Sequence, residues 1–160
     1  MSYWKDSLLI GISKIDSQHR VLINAMDKLM DACIKEKWHT EVEKILIFTL
    51  AFAKAHFKDE ENIYSQFAYP GIDAHSRLHA QFTERITDLV RGYETYGSDA
   101  EFLVKFNDTF VEELLDHIDV EDKKAGEYIQ SVCRDLGQVT DVNPLKPNMV
   151  QPYLAERGIA

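Results

Sequence analysis

Apolar residues recur along this chain every three or four positions, in four successive stretches. In the first, Leu22, Ile23, Met26, Leu29, Met30 and Cys33 form one stripe of a helix starting near Asp16 or Ser17, either of which can cap it. The second opens with Thr40 and Glu43, spaced as a capping box, and carries Ile45, Phe48, Phe52, His56, Glu60, Ile63 and Phe67 on one side. It stops before Tyr69-Pro70-Gly71, a strong helix breaker. The third runs from about Asp73 to Gly92, aligning His75, Leu78, His79, Phe82, Ile86 and Leu89. The fourth opens with a second capping box, Ser98 and Glu101, and runs to about Cys133 along Phe102, Phe106, Phe110, Leu114 and His117.

Strand-like alternation is nearly absent. Four long helices joined by short loops predict an all-α, up-down-up-down antiparallel four-helix bundle. Residues 1–15 carry Trp4, Leu8, Leu9, Ile10, Ile12 and Ile15, and read as an extended arm laid over a core edge. Three of the four prolines, Pro144, Pro147 and Pro152, follow Gly137, where no helix can continue. The chain thus divides into a bundle over 1–135 and a proline-containing tail over 136–160. The tail keeps Leu145, Met149, Val150, Tyr153 and Leu154, and folding back, disorder and docking onto a protein partner are all open to it.

Composition narrows the function. The 160 residues are 45% hydrophobic, enough for one core. The 18 basic and 27 acidic residues leave a net charge of −9, with no basic patch, which argues against a nucleic-acid partner. No apolar run approaches the ~18 residues that a membrane span needs. The first residues lack the basic flank and apolar stretch of a signal peptide. We therefore expect a soluble cytoplasmic protein with no membrane partner. Cys33 and Cys133, far apart and in no C-x-x-C pattern, read as reduced thiols, although a disulfide between them stays open.

Five of the six histidines fall on apolar helix faces with carboxylates beside them; His39, beside Trp38 in a polar loop, reads as a surface residue. A single such histidine is ordinarily a hydrogen-bonded core residue. Five would each need a buried partner or cost on the order of 2 kcal/mol, and a metal satisfies them together. His56 and Glu60 are i, i+4 neighbours, and His75 and His79 repeat that spacing, so each pair points one way.

The segments Asp16-Ser-Gln-His19-x-x-Leu22, His56-Phe57-x-x-Glu60-Glu61, Tyr69-Pro70, His75-x-x-x-His79-x-x-Phe82 and His117-Ile118-x-x-x-Asp122 resemble the successive motifs of the hemerythrins. With its short chain and Trp-containing arm, the sequence is most similar to their bacterial branch, the bacteriohemerythrins. The likeness covers about residues 4–130. It implies a centre of two iron ions with an oxo or hydroxo bridge. One iron would take His75, His79 and His117, the other His19 and His56, with Glu60 and Asp122 bridging. Five histidines, two bridging carboxylates and the shared oxygen fill eleven of twelve positions on two six-coordinate irons. The family binds dioxygen at the last, on the two-histidine iron, as a (hydro)peroxide. Leu22, Phe57, Leu114 and Ile118 match the dry pocket around it. Asp122 comes from the family motif alone: on an ideal helix it lies about 140° from His117, whereas Glu121 lies only about 40° away.

Two residues depart from the pattern. Where the family usually has a pocket tryptophan, four residues before His117, this chain has Glu113. It either enters the pocket as an extra ligand or acid, or turns to solvent or a neighbouring lysine. Tyr64 replaces a common methionine and is a packing residue or a hydrogen-bond donor to Glu113 or a metal ligand. The cluster Asp116, Asp119, Glu121, Asp122 and Glu127 reads as a solvated face, Asp122 excepted. The leading expectation is reversible oxygen binding for storage, delivery or sensing. The alternative is a di-iron oxidase, peroxidase or peroxide- or NO-handling enzyme that uses Glu113, since an acid near bound peroxide favours turnover.

Overall fold

The computed structural model describes residues 3–34, 38–97 and 100–135. Three long helices, α1 (Ser13–Ile34), α2 (Trp38–Gln66) and α3 (Ile72–Tyr96), precede a fourth, α4, over residues 100–135. No strand occurs among the described residues. Consecutive helices pack against one another across short connections, which makes neighbours antiparallel. The core is built mostly from the apolar stripes, with Leu22, Met26, Leu29, Phe67, Ile86, Phe106 and Phe110 all buried. Full burial of each such side chain stabilises the fold by roughly 1.5–3 kcal/mol, so the stripes largely dictate which faces meet. The first half of α2 is different, burying Val42, Leu46, Thr49 and Ala53 instead of the expected Ile45, Phe48 and Phe52. The face that continues down from His56 in steps of three and four meets the bundle there and leaves Phe48 exposed, as Leu78 is on α3. None of the described helices is long and apolar enough to cross a membrane.

Helix boundaries depart from the sequence reading where tertiary contacts intervene. Helix α1 begins at Ser13, before Asp16. The Asp16 carboxylate instead accepts the Ile10 and Gly11 N–H groups at 2.8 and 3.1 Å, fixing the arm to the helix. The arm is not wholly extended, since Asp6–Leu8 form a 3-10 turn. Helix α3 passes through Gly92 and ends at Gly97, because buried Leu89 and Tyr93 continue its stripe. The side chains of Cys33, Trp38, His39 and Thr40, together with Ser98 and the tail, lie outside the described residues. Cys133 is a buried free thiol.

The arm crosses α4 at a glycine. A Cβ on Gly126 would stand 2.5 Å from the Ile10 carbonyl oxygen, which also accepts Gln130 Nε2 at 2.7 Å. Leu8, Ile10 and Ile12 are buried there, and Arg20 stacks over Trp4 at 4.2 Å.

Helix α4 is interrupted twice. Wide π turns over Asn107–Glu112 and His117–Asp122 flank a short α-helical stretch, Glu113–Asp116. In the second, Lys123 N–H reaches back to the Ile118 carbonyl, five residues away. Such a turn returns residues five apart to nearly one face.

Candidate metal centre

Antiparallel packing gathers the histidines at one end of the bundle. His19 lies early in α1, His56 and Glu60 late in α2, His75 and His79 early in α3, and His117 and Asp122 at and just past the middle of α4. Ligand-capable atoms of Glu60, His75, His79, His117 and Asp122 all lie within 4.8 Å of one another, as do those of His19, His56 and Glu60. Glu60 belongs to both groups.

The carboxylates stand between the rings. Asp122 Oδ1 faces His75 Nε2 at 3.2 Å and His117 Nε2 at 3.3 Å, while its Oδ2 faces His19 Nε2 at 3.3 Å. Glu60 Oε2 faces His79 Nε2 at 3.1 Å, His75 Nε2 at 3.6 Å and His56 Nε2 at 3.8 Å; Oε1 is 3.8 Å from His19 Nε2. His79 Nε2 and His117 Nε2 approach to 3.1 Å.

This donor set fits a pair of cations. Both nitrogens of His19 and of His75, His56 Nε2, Glu60 Oε2 and Asp122 Oδ2 are buried without a hydrogen-bond partner. Each orphaned group costs about 1–3 kcal/mol, and a coordinated cation removes that cost for those facing inward. Imidazole mixed with carboxylate suits iron, and also zinc or manganese.

The outer nitrogens of two rings are anchored. His79 Nδ1 lies 2.8 Å from Glu61 Oε1. His56 Nδ1 lies 3.1 Å from Gln18 Oε1, and Gln18 Nε2 donates to Asp59, which pairs with Lys14. Acceptors on Nδ1 fix the tautomer that presents Nε2 as a lone pair. Sequence reasoning quoted Gln18 and Glu61 within motifs but assigned them no role. The pairing of Glu61 with His79 joins two helices, so no local spacing announces it.

Burial is the largest influence on His19, His56, Glu60, Tyr64, His75 and Asp122. It pushes His56 down to about 4. At His75 burial is outweighed by Asp122 and Glu60, and the ring rises to about 9; His19 is raised on the same grounds, chiefly by Asp122. Burial opposes ionisation of the carboxylates, yet the imidazoles hold Glu60 and Asp122 below the usual carboxylate range. Tyr64 is raised well above an ordinary phenol by burial and by these two carboxylates.

The π turn decides between Glu121 and Asp122. Asp122 is fully buried among the rings, while partly exposed Glu121 pairs with Lys124 at 2.8 Å. Glu113 joins neither group: its Oε2 lies 2.7 Å from Arg85 Nη2, not from a lysine, and its side chain is 38% exposed. The reason is angular. Leu114 lies about 60° to the core side of His117, and Glu113 about 40° to the other. His117, 12% exposed, already marks the edge of the buried stripe.

Leu22, Phe57, Leu114 and Ile118 are all buried. The Phe57 ring stacks on His79 at 4.0 Å and meets His56 and His117 at 5.4 and 6.4 Å. Tyr64 Oη donates to Glu60 Oε1 at 2.8 Å and lies 3.4 Å from Asp122 Oδ1. Of the alternatives open to it, Tyr64 takes the hydrogen bond to the clustered carboxylates.

A family model described as the hemerythrin HHE cation binding domain matches residues 10–129. A bacteriohemerythrin of Stenotrophomonas maltophilia is 32% identical over 85 residues, covering 53% of this chain and 55% of that protein. One of Clostridium acetobutylicum is 26% identical over 132 residues, 81% of this chain and 99% of the relative. A myohemerythrin of Riftia pachyptila is 23% identical over 86 residues, 54% of this chain and 66% of the relative. The chain spans about half the length of the Stenotrophomonas and Pseudomonas relatives it matches. The family match encloses all seven clustered residues, from His19 to Asp122. This chain belongs to the hemerythrin HHE cation binding domain family.

Proposed function

We propose that the protein holds two iron ions in its cluster and binds dioxygen reversibly. The observation that carries this reading is the pair of ligand groups sharing Glu60, with three histidines in one and two in the other. His75, His79 and His117 would hold one ion and His19 and His56 the second, with Glu60 and Asp122 spanning both. An iron pair so held supplies two one-electron reductants and, at the two-histidine ion, a free coordination position for dioxygen.

The protein's own residues supply the setting. Glu61 and Gln18 orient His79 and His56, and Tyr64 steadies both carboxylates. Phe57, Leu22, Leu114 and Ile118 keep water, and with it protons, from the site. Storage, delivery and sensing in a cytoplasm all suit such a protein, and an oxo or hydroxo group bridging the irons belongs to the same reading. A docking role for the tail concerns residues outside those described. The enzymatic alternative drew on Glu113 as pocket acid, and the Arg85 pairing takes that support away.

The test is optical. The protein is loaded anaerobically with ferrous iron, given one pulse of oxygen, and then deoxygenated. A visible charge-transfer band that rises and then disappears on deoxygenation is expected. Direct conversion to a stable diferric spectrum would overturn the reading in favour of an enzyme.

A further inference from the structure

Tyr64 begins a line of three tyrosines. Its ring, fully buried, meets the His75 ring edge-on at 5.1 Å, and its hydroxyl donates to Glu60. The Tyr69 ring lies 5.7 Å from that of Tyr64, and the Tyr128 ring 5.6 Å from that of Tyr69. These are contact distances for aromatic pairs. Tyr69 and Tyr128 are both partly exposed, so the line runs from the metal ligands to the surface.

The turn after α2 is shaped to hold it. Tyr69 N–H donates to the Tyr64 carbonyl at 3.0 Å. Ala68 takes a left-handed backbone, φ 49°, which a residue with a Cβ adopts only at a cost. Its carbonyl accepts the Tyr128 hydroxyl at 3.3 Å. A Cβ at Gly71 would stand 2.7 Å from the Tyr69 ring and push it aside, so glycine there leaves the ring where it lies. Strain, glycine and hydrogen bonds thus converge on placing the Tyr69 ring between the other two.

We propose that Tyr64, Tyr69 and Tyr128 form a relay that carries an oxidising equivalent from the metal centre to the surface when hydrogen peroxide reacts there. The inference builds on the di-iron reading above. Phenols yield an electron only to a strong oxidant, so the relay is silent during dioxygen binding and engages with peroxide. In balance, one hydrogen peroxide, one ferrous ion, one tyrosine and one proton give two waters, one ferric ion and one neutral tyrosyl radical. The O–O bond breaks, and the tyrosine loses one electron and its phenolic proton, which ends in water. Tyr64 is restored by an electron and proton from Tyr69, and Tyr69 in turn by Tyr128. The radical reaches a site where an external reductant can quench it, sparing the histidine ligands.

The experiment treats the ferrous-loaded full chain with hydrogen peroxide and a nitroso spin trap. Electron paramagnetic resonance reads the radical, and peptide mass spectrometry locates the adduct. Wild type is expected to carry the adduct on Tyr128, and Tyr69→Phe, which keeps the ring but not the phenol, to lose at least tenfold of it. Iron content and circular dichroism of the variant establish that it is folded and loaded. An undiminished Tyr128 adduct in loaded Tyr69→Phe, or an equal one in zinc-loaded wild type, would overturn the relay. Oxidation of the iron with no adduct on any of the three tyrosines would overturn it while leaving the di-iron reading intact. Failure of the iron to bind or to be oxidised would overturn both.

Discussion

Asp122 follows His117 by five residues, yet its Oδ1 stands 3.3 Å from His117 Nε2. Regular α-helical winding would set the two about 140° apart. The wide turn over His117–Asp122 restores them to one face, and the buried carboxylate then also reaches His19 and His75 from a different helix. Asp122→Asn should therefore lower iron content by at least one ion per chain, while Glu121→Gln should leave it unchanged. Elemental analysis of both variants checks this, and equal losses would show that the turn does not select the ligand.

Metal retention should also follow the rings and their supports. His79→Ala should lose at least one iron per chain. Glu61→Gln, which keeps an acceptor near His79 Nδ1 but removes its charge, should weaken metal affinity by about 10–100-fold. Competition with a chelator measures the second effect; two irons retained in the alanine variant would refute the first.

Glu113 should matter little to the oxygen adduct. Its pair with Arg85 joins two partly exposed side chains at the rim of the bundle, worth about 0–1 kcal/mol. Glu113→Leu should leave adduct lifetime within about twofold of wild type in a stopped-flow decay. A lifetime lengthened tenfold would return Glu113 to the pocket as an acid.

Gly126→Ala should destabilise the fold by roughly 1–3 kcal/mol, the cost of forcing a methyl into a packed crossing. The Ile10 carbonyl beside it is backbone, so neither side yields cheaply. Urea denaturation of the metal-stripped protein gives the number, and an unchanged midpoint would mean that the arm does not hold this position in solution.

The metal-stripped protein should be most stable near pH 6.5. From about pH 4 to 6.5 the unfolded chain binds a proton that folded His56 refuses, so stability rises with pH. From about 6.5 to 9 folded His75 keeps a proton that the unfolded chain releases, so stability falls. His19, also raised, adds to the alkaline loss, and Glu60 and Asp122, held low, add to the loss in acid. Melting temperatures across this range test the peak; a steady rise to pH 9 would contradict it.

The sequence alone determined the helical class, most of the stripes of α1, α3 and α4 and the end of α2 near Tyr69-Pro70-Gly71, because periodicity and breakers act within a few residues. The buried face in the first half of α2 was settled by packing. The sequence also picked out which histidines share helix faces, since i, i+4 spacing is local geometry. The tertiary structure decided what depends on contacts between helices. It turned Asp16 from a helix cap into the arm's anchor and carried α3 past Gly92, because burial outweighs local propensity. It set Glu113 against Arg85, Tyr64 against two carboxylates and Glu61 behind His79, pairings that no spacing along one helix encodes. The wide turn in α4 belongs there too, since an irregular turn is held by the burial of Asp122 among rings from other helices, not by a local signal.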